Sequence, residues 1–406
     1  MRFFFYFIFL LFLSCTNRNV GFSLDRAQYI IDLDGNRVSH ITYSTFFKNL
    51  KTIILETNND CLIGRIEEIQ VFKENIFVLD MRISKALFVF DKDGRFIRKI
   101  GRLGQGPGEY VQPEDFTLDT TNGFIFLLDW GHRIHKYHLD GTYINSIDIQ
   151  IQRSTVYFIQ YHNNRLYASV LNWEPTQNDF MLVEIDINTG KILSKSLPLV
   201  LNKGWSKRSF TGHSFFISRL NNPPMYTQLF MDYIVSIGEE ASPYIELKSK
   251  NLVTNKDFEN LSNEKQPKLS HFQVLQGTSK IWDINSYIES DNFILFRCRI
   301  GFLSSNRDFF SVVFDKNTKN VTIANRLIND LILKQIDENH PVFLFMDGKF
   351  VFSDTKGAYD ILHGLSIKSF QESIRKNETV SELNKADELL KLDEESNPVL
   401  FYYEFK

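Results

Sequence analysis

Strand-length apolar runs recur along this chain with a period of about 48 residues, and a repeat of that size admits few architectures. Residues 75–100 read Asn-Ile-Phe-Val-Leu-Asp, a polar turn, Ala-Leu-Phe-Val-Phe-Asp, Lys-Asp-Gly, then Arg-Phe-Ile-Arg-Lys-Ile. Residues 124–148 follow the same plan, so that Ile125 aligns with Ile76 and Gly141 with Gly94. A weaker third copy runs from Arg165 through Gly190. Each copy is three runs separated by turn chemistry, with Asp-Gly suited to a tight hairpin because glycine accepts a positive φ. A fourth run precedes each trio: Ile66 to Phe72, Asp115 to Leu118, and Val156 to Tyr161. Four antiparallel strands per repeat make a propeller blade, which hides both faces only when blades stack in a ring.

Fainter copies follow at Leu229 to Ile237 with Tyr244 to Leu247, at Asn292 to Arg299 with Phe309 to Asp315 and Val321 to Asn325, and at Val342 to Phe345 with Lys349 to Ser353. The expected fold is therefore all-β: a six-bladed β-propeller of four-stranded antiparallel blades. The 38 Phe and 16 Tyr suit such half-buried pleated surfaces. Residues 366–395 break the pattern. Ile367, Phe370 and Ile374, then Leu383, Ala386, Leu389 and Leu390, keep helical spacing, and Thr379 to Glu382 has the form of a capping box. They predict a small helical insertion ahead of a last strand, Pro398 to Phe405, that closes the ring.

The N-terminus carries a different kind of signal. Arg2 is followed by an unbroken apolar run from Phe3 to Leu13, then Ser14 and Cys15. This matches a secretory signal and is shorter than the roughly 20 apolar residues that span a bilayer. A cysteine directly after the cleaved bond is what lipid attachment needs, although Phe12 stands where bacterial lipoproteins usually have Leu. These features predict a signal peptide over 1–14, a lipidated tether and lead-in over 15–39 with Cys15 as the lipidation site, and the propeller over 40–406. The expected location is the cell envelope, with the protein exported and anchored to a membrane, the outer one being favoured. The formal net charge of −3 supplies no basic stripe for nucleic acid. Cys61 and Cys298 are expected to be buried free thiols.

The run Gly101 to Tyr110, following a blade that ends Phe90-Asp-Lys-Asp-Gly-Arg-Phe-Ile, and the closing stretch Asn397 to Lys406 resemble the six-bladed β-propeller lipoproteins of bacteria, related to NHL-repeat propellers. The resemblance implies the fold and the export route. It brings no catalytic residues, and a role in glycan or nutrient handling is association only.

Other motifs read structurally. The glycines of 101–108 lack the following helix that phosphate cradles use, and so read as an inter-blade loop. Asp91 to Gly94 reads as a hairpin turn rather than a calcium loop. His132, His135 and His138 alternate along a strand, which sends His135 opposite to the others and argues against a shared metal. Ser353 to Gly357 only loosely resembles a sialidase Asp box. No catalytic set, metal site or cofactor motif is read.

Blade geometry makes one positive prediction. The second-to-third turn of a blade and the loop into the next blade emerge on one face. That gathers Arg82, Lys85, Arg102, Glu109, Tyr110, Trp130, His132, Arg133 and Trp173 at one mouth of the ring. Aromatic rings beside guanidinium groups suit a sugar or an acidic ligand. The expected function is a non-catalytic binding or scaffold module at the envelope, meeting a glycan, a peptide or a partner protein. The alternatives are a hydrolase or lyase acting on a carbohydrate or lactone at the channel, which would gather carboxylates at the axis, and a purely structural subunit of an envelope complex.

Overall fold

The computed structural model describes residues 27–205, 215–216, 223–259, 261, 270–301, 309–334, 350–380 and 383–406. Six blades form a ring. Blade I is Glu68–Phe72, Asn75–Asp80, Ala86–Asp91 and Phe96–Ile100. Blade II is Pro113–Asp119, Phe124–Asp129, Arg133–His138 and Tyr143–Asp148, and blade III is Ser154–His162, Arg165–Asn172, Phe180–Ile185 and Ile192–Pro198. Blade IV comprises Phe215–Phe216, Met225–Tyr226, Tyr233–Ile237 and Ala241–Lys248, and blade V Ile281–Glu289, Phe293–Ile300, Phe309–Asp315 and Val321–Ala324.

Blade VI is built from both ends of the chain. Phe352–Ser353, Gly357–Leu362 and Val399–Phe405 supply three strands, and Phe47–Ile54 supplies the outermost one, antiparallel to Val399–Phe405. The expected closing strand does close the ring, in third position rather than at the edge. The predicted run Val342 to Phe345 lies outside the described residues.

The physical reason for the ring is visible in single strands. In Asn75–Asp80, Ile76 and Val78 pack toward blade VI, whereas Phe77 and Leu79 pack toward blade II. Both faces of the strand are thus buried, and each needs a neighbour. The same alternation makes further inter-blade cores between II and III, III and IV, IV and V, and V and VI. The hairpin turns behave as their composition predicts: Gly94, Gly141 and Gly190 have φ of 91°, 88° and 70°. A Cβ on Gly94 would lie 2.1 Å from the Ile54 carbonyl oxygen, so that turn admits only glycine.

Residues before the first full strand form a strap. Tyr29–Asp32 adds a parallel fifth strand to blade IV, and Arg37–Val38 does so on blade V. Ile41–Thr42 then pairs with Leu327–Ile328 before the chain enters blade VI. The strap covers two sheet edges that would otherwise expose unpaired backbone groups.

Helices Gly364–Arg375 and Ala386–Leu389 fill the predicted insertion, between the second and third strands of blade VI. Ile367, Phe370, Leu383 and Leu389 bury against blades V and VI. Thr379 does not cap the second helix, which begins after Lys385; it bridges Leu333 instead. Cys61 and Cys298 are buried free thiols, as expected.

Candidate functional site

The mouth connections of blades I–III share one plan. The second strand of each blade ends in Asp80, Asp129 or Asn172. The Asp80 carboxylate accepts the amides of Gly64 and Arg65 from the incoming connection, at 2.7 and 3.1 Å, and those of Arg82 and Ile83 from its own turn, at 3.2 and 2.9 Å. Asp129 likewise accepts from Val111, Gln112 and Trp130, at 3.0, 2.7 and 2.9 Å. Burial pulls the Asp129 carboxyl upward, but its His135 contact and the Gln112 and Val111 amides outweigh that and hold it below the usual range. In blade III, Asn172 accepts the Ser154 hydroxyl at 2.8 Å.

The residue after this clamp is Met81, Trp130 or Trp173. The Trp130 amide donates to the Gln112 carbonyl and the Trp173 amide to that of Arg153, both at 2.9 Å. The two tryptophans are therefore equivalent positions on adjacent blades and point out of one face. They are 68% and 64% exposed. Trp173 Nε1 donates to Thr155 Oγ1 at 2.7 Å, which fixes the orientation of the ring.

The other expected residues divide by what they do. Arg82, Arg102 and Arg133 reach this face, yet each lies beside a carboxylate: Glu67 at 3.7 Å, Glu109 at 2.7 Å and Asp148 at 2.8 Å. Arg153 pairs with Glu174 in the same way. The cationic mouth that the sequence suggests is thus largely neutralised by its own acids. Glu109 spends its carboxylate on Arg102 and on the Gly106 amide, which fold the Gly101–Tyr110 loop back on itself; these bonds hold its pKa below the usual value. Tyr110 is buried between blades I and II, where burial pushes its phenol up to about 12. Both serve the scaffold of the loop. His132 is half-buried with a left-handed φ of 67°, and burial lowers its imidazole pKa. Lys85, also left-handed, turns the blade I connection.

Sequence reasoning passed over the apolar part of this face. Leu62, Ile83, Leu103 and Val111 are exposed in the same connections as the tryptophans. Of the twelve exposed large apolar side chains among the described residues, these six gather here. The signal was present as apolar residues in segments whose neighbours are Gly, Ser and Asp. A groove of about 480 Å³ also opens between the blade II–III connection and the turn after Asn172.

Near the axis, first strands of neighbouring blades touch directly. Glu68 of blade I faces Asp115 of blade II. Asp115 also accepts the Ile159 amide of blade III at 2.6 Å, and Glu68 accepts the Gln70 amide at 2.7 Å. Among the described residues, no three His, Cys, Asp or Glu side chains converge as a metal ion requires. His135 is buried against Asp129 and Ser146, away from His138, which is exposed.

The family model described as "Domain of unknown function (DUF4934)" matches residues 28–404. The chain belongs to this family. Its span runs from the strap to the closing strand, so the DUF4934 unit is the whole ring. No curated protein matches the sequence. Among solved structures, the DUF4934 chain is similar to a Bacteroides fragilis NCTC 9343 protein described as a "Putative exported protein". The two share 17% identity and a TM-score of 0.68 over 93% of this chain and 99% of that one, a likeness of fold. The WD40 repeats of RRP9 match at 8% identity and a TM-score of 0.43, over 87% of this chain and 97% of theirs.

Proposed function

We propose that this DUF4934 protein is a non-catalytic recognition or scaffold module of the cell envelope, engaging its ligand on the mouth face of blades I–III. The observation that carries the reading is the pair of exposed tryptophans at equivalent positions of adjacent blades. Leaving large apolar surface in water costs about 25 cal/mol per Å², so a patch of this kind marks a contact site. A photo-crosslinking residue placed at 130 or 173 should capture a defined envelope component in cells. The same residue at 73 or 122, on turns between first and second strands at the opposite rim, should not. Equal capture from both rims, or none, would overturn the reading.

Export and anchoring belong to the same proposal. The signal-like Phe3 to Leu13 run, and the fold shared with a protein described as exported, support export. Cys15 supports a lipid anchor of the kind found in the NHL-related propeller lipoproteins. Cys15→Ala should move the protein from the membrane to the soluble fraction, and continued sedimentation with membranes would remove the anchor.

The hydrolase or lyase reading rests on Glu68 and Asp115 beside the axis. It weighs less, because the Ile159 and Gln70 amides already occupy these carboxyls.

A further inference from the structure

The outermost strands of blades I to IV share an irregularity. Each carries one extra residue opposite its neighbouring strand, and in all four blades that residue is large and apolar or aromatic: Ile97, Ile144, Leu193 and Tyr244. In blade IV the strap covers this position. Tyr29–Asp32 runs parallel to the outer strand, and the Tyr29 ring meets the Tyr244 ring edge-on with centroids 5.3 Å apart. In blade III, Leu193 is 58% exposed, against 37% for Ile97 and 36% for Ile144. Among the described residues, nothing pairs with the outer side of its strand, Ile192–Pro198. A seven-residue edge that shows a leucine to water is a template for one more strand.

The order of the strap points to the segment that reaches this edge. Followed back toward the N-terminus, the strap leaves blade V at Arg37–Val38 and blade IV at Tyr29–Asp32. Blade III is next in that order.

The sequence ahead of the strap repeats its pattern. Tyr29, Ile31 and Leu33 form the apolar side of the strap and pack into the core between blades IV and V. Asp34 follows, accepting the Ser249 hydroxyl at 2.6 Å and the Lys250 amide at 3.1 Å. Nine residues earlier stand Val20, Phe22 and Leu24, and then Asp25. This period of two is that of a strand with one buried face. The spacing agrees as well. Four residues, 33–36, cross from blade IV to blade V, and five, 24–28, separate Ser23 from Tyr29. The stretch from Val20 to Gln28 holds no proline, so each residue can donate to a ladder.

We infer that Val20 to Ser23 adds to blade III as a fifth strand, parallel to Ile192–Pro198, with Val20 meeting Leu193 as Tyr29 meets Tyr244. The occupant of the blade III edge is this chain's own N-terminal segment, and the strap binds three consecutive blades. The inference goes beyond the mouth-face reading and does not depend on it, because the edge lies on the flank of the ring.

The test uses the chain from residue 15 onward, carrying Cys15→Ala. A photo-crosslinking residue at 193 should join, within one molecule, to the peptide spanning 16–26, and the same residue at 97 or 144 should not. By hydrogen exchange, the outward amides of the Ile192–Pro198 strand should exchange about tenfold or more slowly than in a Val20→Asp, Phe22→Asp double variant. Equal protection of the blade II strands in both proteins checks that the variant folds. No crosslink from 193 to 16–26 overturns the inference, as do exchange rates that the double variant leaves unchanged. Equal yields of that crosslink from 97, 144 and 193 overturn it too, because the segment then has no fixed place. Crosslinks from 193 that join two molecules and grow with concentration assign the edge to a second copy and also overturn it. None of these outcomes bears on capture from positions 130 and 173, so the mouth-face reading fails or survives separately.

Discussion

Asp80 holds two separate chain segments with one carboxylate, and Asp129 repeats the device in the next blade. Asp80 is fully buried, and the four amides it accepts belong to the incoming connection and to the following turn. Removing the carboxylate would leave those donors without an acceptor, and each unpaired buried amide costs about 1–3 kcal/mol. Some would find water, so Asp80→Ala should destabilise the fold by roughly 3 kcal/mol, and Asp80→Asn by less because one oxygen remains. Urea unfolding measures this, and a loss below about 1 kcal/mol for Asp80→Ala would show that the clamp is dispensable. The same residues explain what could be read in advance. Asp80 and Asp129 stand at matching places in two near-identical runs, so their repetition was visible, although their acceptor role was not. Tyr110 shows the opposite case. It lies in a loop sequence that looks exposed, but Gly101 and Gly108 let that loop close over it, and only the folded chain places it in the core.

Between elements, the innermost strands are knitted by polar side chains rather than by apolar ones. Gln70 donates to the Phe116 carbonyl at 2.9 Å, and Thr117 Oγ1 accepts the Tyr161 amide at 3.0 Å. Glu68 and Asp115 sit in this seam. Burial raises the pKa of both, and the Glu68 carboxylate raises Asp115 further. A carboxyl whose folded pKa exceeds its unfolded value, about 3.9 for Asp, keeps its full contribution to stability below that value and loses it as pH rises through the folded pKa. Stability should therefore fall from about pH 4 upward as this pair gives up its shared proton. Asp115→Asn keeps an oxygen for the Ile159 amide and removes one ionisation. Its urea midpoint should drop less than that of the wild type between about pH 4 and pH 8, and parallel pH profiles would sink this account. Element by element, blades I–III were legible because each carries four good runs and an Asp-Gly or Thr-Gly hairpin. Blade IV begins with two-residue strands, Phe215–Phe216 and Met225–Tyr226, which leave no periodicity to detect. The strap was invisible for a different reason: Ile31 pairs with Leu247 and is wholly buried, and no local pattern reports a partner so far along the chain.

At the scale of the ring, closure makes stability a shared property. In an open array each repeat contributes its own share, and losing the last repeat costs one share. Here the last strand is bound on both sides, by Gly357–Leu362 and by Phe47–Ile54. Its side chains also serve two cores: Phe401 and Tyr403 pack toward blade V, and Leu400 packs toward blade I. Asn397, just ahead of it, accepts the Ile63 amide at 2.8 Å and donates to the Glu56 and Cys61 carbonyls at 2.6 and 2.7 Å, fastening the end of the chain to the connection that enters blade I. Deleting residues 397–406 would therefore unpair the outer N-terminal strand, open the cores on both sides of blade VI and free the blade I connection at once. The truncated chain should lose its cooperative unfolding transition altogether, as followed by circular dichroism in urea, whereas Phe401→Ala should keep one transition and lose about 3–5 kcal/mol. A truncated chain that still unfolds in a single transition, with its midpoint lowered only as far as that of Phe401→Ala, would mean that the blades stand independently and that closure adds nothing to the ring.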